Sequence, residues 1–139
     1  MLDMGFRETM RKANPASEIL ERIATKDFKI CGCDVKKGDW IINVLLQFQP
    51  EYFNQPYKFI PERFEKEARK RIPLMKQIPF SHGQRAWIGK YFGEMMMKLI
   101  VVELIQNFKF EVEEGSKMKL GFNPIYGVAN PDLILSLRE

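Results

Sequence analysis

The sequence is poor in residues that build metal and thiol chemistry. It holds one histidine, His82, and two cysteines, Cys31 and Cys33, among 139 residues. The cysteines form a C-x-C pair around Gly32, and His82 is far from them along the chain. Such a pair can bind a soft metal, but it supplies only two of the four ligands that structural zinc takes. The simpler reading is two reduced thiols at a turn, compatible with a reducing compartment. Long apolar runs are lacking too. The greasiest stretch, from Met95 to Phe108, is broken by Lys98, Glu103 and Gln106. It is too short and too charged to span a bilayer. The opening MLDMGFRETMRK has no apolar h-region, so it is not expected to act as a secretory leader. An address inside the cell is expected, with membrane association only through an anchor outside these residues. There is no repeat and no low-complexity tract. Net charge is +4 and the pI about 9.1. Without Lys/Arg–aromatic interleaving or zinc-finger spacing, that mild excess does not indicate nucleic acid.

What is present suits one globular domain over residues 1–139, with 45% hydrophobic and 29% charged content. Leu2 to Lys12 is rich in helix formers and meets Asn14-Pro15, so a helix should end near Ala13. Ile30 to Asp34 and then Val35 to Leu46 should be short strands around turns, with Lys36-Lys37-Gly38-Asp39 as the turn signal before the β-rich run from Trp40 to Val44. The stretch from Pro50 to Pro61 mixes prolines and aromatics and should be ordered but irregular. Lys66 to Lys76 is basic, and such runs are usually solvated faces. From Gly89 to Phe108, Phe92, Met95, Met96, Leu99, Val102 and Ile105 recur at helical spacing, which predicts a buried core helix. Gly115, Gly121, Pro124, Gly127 and Pro131 punctuate short apolar runs in the tail, which predicts hairpins.

Three motifs follow in order. Glu8-Thr9-Met10-Arg11 is an E-x-x-R on the first helix, common alone as an i,i+3 pair. Pro61-Glu62-Arg63-Phe64 is also weak alone. The third, Phe80-Ser81-His82-Gly83-Gln84-Arg85-Ala86-Trp87-Ile88-Gly89, runs straight into the long helix. Together, with ERIATKDFKI and VKKGD between the first two, they resemble the cytochrome P450 family, whose pattern is E-x-x-R, then P-E-R-F, then F-x-x-G-x-R-x-C-x-G. The resemblance covers essentially the whole chain.

That resemblance implies a mixed α+β, mainly helical fold. Its parts would be the E-x-x-R helix, a small β-sheet, the meander, the haem loop, the long helix and C-terminal hairpins. It implies a haem cofactor and a buried Glu8/Arg11/Arg63 triad, in which an Arg fork holds the carboxylate and a second Arg shares it. Buried ion pairs cost desolvation, so the triad is expected to fix geometry more than to add stability. Phe80, Gly83, Arg85, Trp87 and Gly89 fall on haem-loop positions. Gly83 suits a positive φ or a close backbone approach. Arg85 and Arg22 match residues that pair with haem propionates. The basic Lys66–Lys76 region matches a face that receives an acidic electron donor. His82 is expected to be structural, although imidazole is a legitimate axial ligand.

One position departs from the pattern. The family's cysteine thiolate binds iron and favours O–O cleavage. Trp87 stands there, and its indole nitrogen is a donor only. No catalytic residue and no metal ligand are therefore assigned. A single base separates the two codons, so a loss of the ligand and a reading error both remain open. The resemblance also places the family's oxygen-activating helix, and most of its pocket, upstream of these residues. Only the segment from Gly121 to Asn130 would contact substrate. Three functions follow as expectations: part of a working monooxygenase, an inactive region covered by other protein chains as a structural subunit, or a haem-binding module without oxygen chemistry.

Overall fold

The computed structural model describes residues 1–14, 20–43, 50–115, 119–122, 126–129 and 133–138. Helix α1 spans Leu2–Lys12 and stops at Ala13, whose N–H donates to the Thr9 carbonyl at 2.7 Å. The stop lies where the approach to Pro15 requires it. β1 (Leu20–Ile23) pairs antiparallel with β4 (Trp40–Asn43), with Arg22 opposite Ile41. Between them, β2 (Phe28–Ile30) and β3 (Cys33–Val35) form a small hairpin. The expected continuation of β4 through residues 44–46 lies outside the described residues.

Residues 50–60 are a succession of turns and bends, as their prolines require. A 3-10 turn at Pro61–Phe64 and the short α2, Lys66–Arg69, follow. Two more 3-10 turns, Leu74–Lys76 and Gly83–Arg85, lead into α3, Lys90–Asn107. β5 (Phe108–Val112) pairs with β8 (Leu133–Leu137), and β6 (Lys119–Phe122) with β7 (Tyr126–Ala129). Both pairings in the tail are antiparallel. Pro124, Asn130 and Pro131 lie outside the described residues. Helix and strand are mixed, and described strand residues are about as many as α-helical ones.

Among the described residues most of the core gathers around α1, with Ala24 buried apart beside the turn at Gly38 and Asp39. Among the described residues the buried apolar side chains are Met10, Ala24, Phe53 and Phe64. The long helix does not match its expectation. No residue of α3 is buried, and Phe92, Met95, Met96, Leu99 and Ile105 are all exposed. The periodicity is a helix signal, but α3 shows little contrast between its faces: apolar residues lie all round it, interrupted by Lys90, Glu94, Lys98 and Glu103. Here α1 lies along one side only, meeting Met97, Lys98, Ile100 and Val101 across an apolar groove of about 360 Å³. Elsewhere β5 meets the C-terminal end of α3 and the Trp87 ring lies over its start. The accessible surface totals 11202 Å² for 16.4 kDa. A compact chain of that mass would expose about 7,500 Å².

Candidate functional site

Two neighbouring structures hold the residues singled out by the sequence. The first is the α1 ion-pair cluster. Glu8 is 0% and Arg11 1% exposed. Arg11 donates from Nε to Glu8 Oε2 at 2.7 Å and from Nη2 to Oε1 at 2.8 Å. This two-pronged fork is the geometry that makes an Arg–carboxylate pair strong and directional. The i,i+3 spacing places both side chains on one face of α1.

Arg63 joins on different terms from those expected. Its Nε lies 3.5 Å from Glu8 Oε1, an ion-pair distance but no hydrogen bond. Its Nη2 instead donates to the Gln55 carbonyl at 2.8 Å. The bond that completes Glu8 comes from the backbone N–H of Ile60, at 2.9 Å from Oε1. Arg11 also donates to the Lys58 carbonyl at 3.2 Å, and its guanidinium sits 5.1 Å from the centre of the buried Phe53 ring. Lys12 adds a bond to the Tyr57 carbonyl at 2.6 Å. The cluster therefore pins the irregular 53–63 segment onto α1. Phe53 and the Ile60 amide were not found from sequence, because neither sits in a periodic element.

A second set of contacts ties α1 to the 74–77 turn and to α3. Gln77 donates to the Arg7 carbonyl at 3.1 Å, bringing the 74–77 turn onto the helix. Asp3 accepts from Arg7 Nε at 2.7 Å and from Lys98 Nζ, on α3, at 2.6 Å. Partial burial alone would raise the Asp3 carboxyl. The hydrogen bonds and charges of Lys98 and Arg7 outweigh it and hold the group at about 2. This clamp, also unread in the sequence, is the polar link between α1 and α3.

The second structure is the loop from Phe80 to Gly89. Its ends are joined by Trp87 N–H donating to the Phe80 carbonyl at 3.0 Å. Gly83 has φ +74°, the left-handed conformation that favours glycine, and Ser81 adopts φ +63°. The Phe80 and Trp87 rings stack with centres 5.5 Å apart and planes 26° from parallel. The indole then lies across the start of α3. A Cβ added to Gly89 would fall 2.8 Å from Trp87 Cζ2, and one added to Gly93 2.8 Å from Cη2 and Cζ3. Both glycines thus form a notch that holds the ring. Half of Trp87 remains exposed. Arg85 and His82 are exposed on the same loop. His82 also lines a 140 Å³ cavity with Arg7, Arg69, Lys90 and Glu94. Arg22 lies apart on β1, exposed, with Nη1 on the Glu21 carbonyl at 2.7 Å. Among the described residues no hydrogen bond or ion pair joins it to the loop.

In the Lys66–Lys76 run, Lys70 pairs with Glu67 at 2.7 Å, and Lys76 Nζ lies 4.3 Å from the centre of the Tyr52 ring. Lys66, Arg69 and Arg71 are exposed. Part of this basic face is therefore engaged locally.

A family model, Cytochrome P450, matches residues 1–136. The chain belongs to the cytochrome P450 family. It is 38% identical to cytochrome P450 3A7 of Homo sapiens over 134 residues, 94% of this chain and 26% of that protein. Cytochrome P450 3A16 of Mus musculus is 38% identical over 112 residues, 79% of this chain and 22% of the relative. Cytochrome P450 3A18 of Rattus norvegicus is 35% identical over 140 residues, 98% of this chain and 28% of the relative. The chain thus spans about a quarter of the length of the curated relatives it matches. No helix among the described residues is long and apolar enough to cross a membrane.

A cytochrome P450 implies haem, and the donor set at the loop does not fit an iron ligated in the family's way. The side chain at the position that the resemblance gives to the ligand is the Trp87 indole, which offers no lone pair to a metal. It is packed in the Gly89/Gly93 notch and against Phe80. The two thiols of the chain are exposed on the β2–β3 hairpin. Among the described residues no group of three or more His, Cys, Asp or Glu side chains is placed to hold a metal.

Proposed function

We propose that residues 1–139 are the C-terminal, haem-loop region of a protein derived from haem-thiolate monooxygenases, and that this chain does not itself catalyse oxygen insertion. The observation that carries the reading is Trp87. Its indole stands at the thiolate position, stacked on Phe80 and seated over Gly89 and Gly93. Without the thiolate, the electron donation that drives O–O cleavage has no source. The other loop residues keep the roles that the resemblance gives them. Phe80, Gly83 and Gly89 shape the loop. Arg85 and Arg22 supply guanidinium groups suited to carboxylates such as propionates. Glu8, Arg11 and Arg63 fix the segment beneath the loop. The basic residues from Lys66 to Lys76 form a face for an acidic electron donor, a role that lapses if no electrons are delivered.

The test is optical. Purified chain with added haem is reduced and exposed to carbon monoxide. The expected spectrum lacks the red-shifted band of a thiolate-ligated haem, and Trp87→Cys produces it. A red-shifted band in the unaltered chain would overturn the proposal.

A second reading is favoured by α3. Its apolar surface is left largely open by the described residues, and large exposed apolar areas mark interaction sites. On that reading the chain is a structural subunit without haem, its apolar face covered by another polypeptide. Light scattering on the isolated chain decides: a stable, well-folded monomer counts against it.

A further inference from the structure

We propose that the cavity bordered by α1, the end of α2 and the start of α3 binds a phosphate group that retains one proton. The site lies against the haem loop but uses none of Trp87, Arg85 or Arg22. It therefore stands or falls apart from the haem reading.

The first observation is convergence. Arg7 from α1, Arg69 from the end of α2 and Lys90 from the start of α3 line one cavity of about 140 Å³. A space that small brings a single polyatomic ion close to every side chain on its wall. Two of the walls are fastened. Gln77, also in the lining, donates to the Arg7 carbonyl at 3.1 Å. Asp3 takes Arg7 Nε at 2.7 Å, which fixes the guanidinium and leaves its two Nη groups as further donors.

The second observation is unspent charge. Three cations and one carboxylate, Glu94, border the cavity. Among the described residues no ion pair or hydrogen bond engages the Arg69 guanidinium or the Lys90 ammonium. Lys90 Nζ has only the Tyr91 ring, 5.6 Å from its centre. Arg69 is exposed, but Arg7 and Lys90 are half-buried. A partly desolvated cation gains more from an anion than a solvated one does, which separates this cavity from the open basic run beside it.

The third observation is Glu94 itself, half-buried and likewise in no ion pair among the described residues. An ionised carboxylate only accepts hydrogen bonds. A phosphate that keeps one proton donates it to Glu94, while its other oxygens accept charge-assisted bonds from the guanidinium and ammonium groups. Sulfate carries no proton at neutral pH and meets Glu94 as a like charge. One carboxylate among three cations thus selects against it.

The experiment is a calorimetric titration of the full chain at neutral pH and low ionic strength with inorganic phosphate, glycerol 3-phosphate and sulfate. One phosphate per chain is expected, with sulfate at least about tenfold weaker, the loss that follows from one hydrogen bond to a charged group. Lys90→Gln and Arg69→Gln should each weaken phosphate about tenfold or more, with circular dichroism unchanged. Arg71→Gln removes an exposed cation that does not border the cavity and should leave the affinity as it was. Glu94→Gln should abolish the preference over sulfate. Glycerol 3-phosphate bound as tightly as the free ion identifies a monoester as the ligand, and its exclusion identifies inorganic phosphate. No binding of either phosphate, equal affinity for sulfate in the unaltered chain, unchanged affinity in Lys90→Gln, or a loss in Arg71→Gln that matches it would each overturn the site.

Discussion

At the scale of single residues, the cluster around Glu8 sets the strongest expectation. The Glu8 carboxylate is sealed from water and held by an Arg11 fork and the Ile60 amide. Removing one partner of a buried pair leaves the other charged and uncompensated, at about 3–5 kcal/mol. Arg11→Ala should lower stability by that amount in urea titrations. Arg63→Ala should cost clearly less, because Arg63 reaches Glu8 only at 3.5 Å and bonds elsewhere. Asp3 gives a pH-dependent counterpart. Its folded value, about 2, lies below the ordinary 3.8 of an aspartate. A depressed carboxylate contributes stability above its unfolded value, and that contribution fades as pH falls through the folded one. Acid titration followed by circular dichroism should therefore show stability draining between about pH 4 and pH 2, and Asp3→Asn should flatten that segment. The E-x-x-R pair was legible because its spacing alone puts Glu8 and Arg11 together. Phe53, the Ile60 amide and the Asp3–Lys98 bond were not. They join positions 42 to 95 residues apart through a stretch without periodicity, or between two helices whose packing no local pattern specifies.

Among the elements, the start of α3 is the place where loop and helix depend on each other. Alanine in place of an interior helical glycine normally gains about 0.5–1 kcal/mol. At Gly93 the added Cβ meets the Trp87 ring at 2.8 Å. Gly93→Ala should therefore gain nothing in the unaltered chain and should shift the tryptophan emission as the indole leaves its notch. Combined with Trp87→Cys, the same change should recover the ordinary gain. The double-mutant cycle measures the coupling, expected at about 0.5–3 kcal/mol for groups in contact; a coupling near zero would show that the indole moves freely. Helix ends were readable at this scale, since Ala13 and Gly89 sit where an approaching proline and a glycine place them. What covers α3 was not. The 3.6-residue spacing of Phe92, Met95, Met96 and Leu99 reports a helix, but the same residues are exposed, and the low contrast between its faces gives no direction in which to look for a core.

At the scale of the whole molecule, the chain keeps a tight knot around α1 and leaves α3 largely wet. Of the family fold, the order of the motifs was legible because each motif carries its own local geometry. Enclosure was not, because it depends on surfaces beyond any one element. That wet surface also has a thermodynamic signature. Heat capacity rises on unfolding chiefly because apolar groups become hydrated, by about 12–15 cal/mol/K per residue in compact proteins. Here a large part of that hydration already exists in the native chain, whose 11202 Å² of surface includes most of the α3 apolar side chains. Scanning calorimetry on the isolated chain should yield a markedly smaller increment per residue and a correspondingly flat stability curve. A polypeptide that covers α3 should restore the increment, so the heat capacity of unfolding becomes a direct reading of how much of this surface is dry.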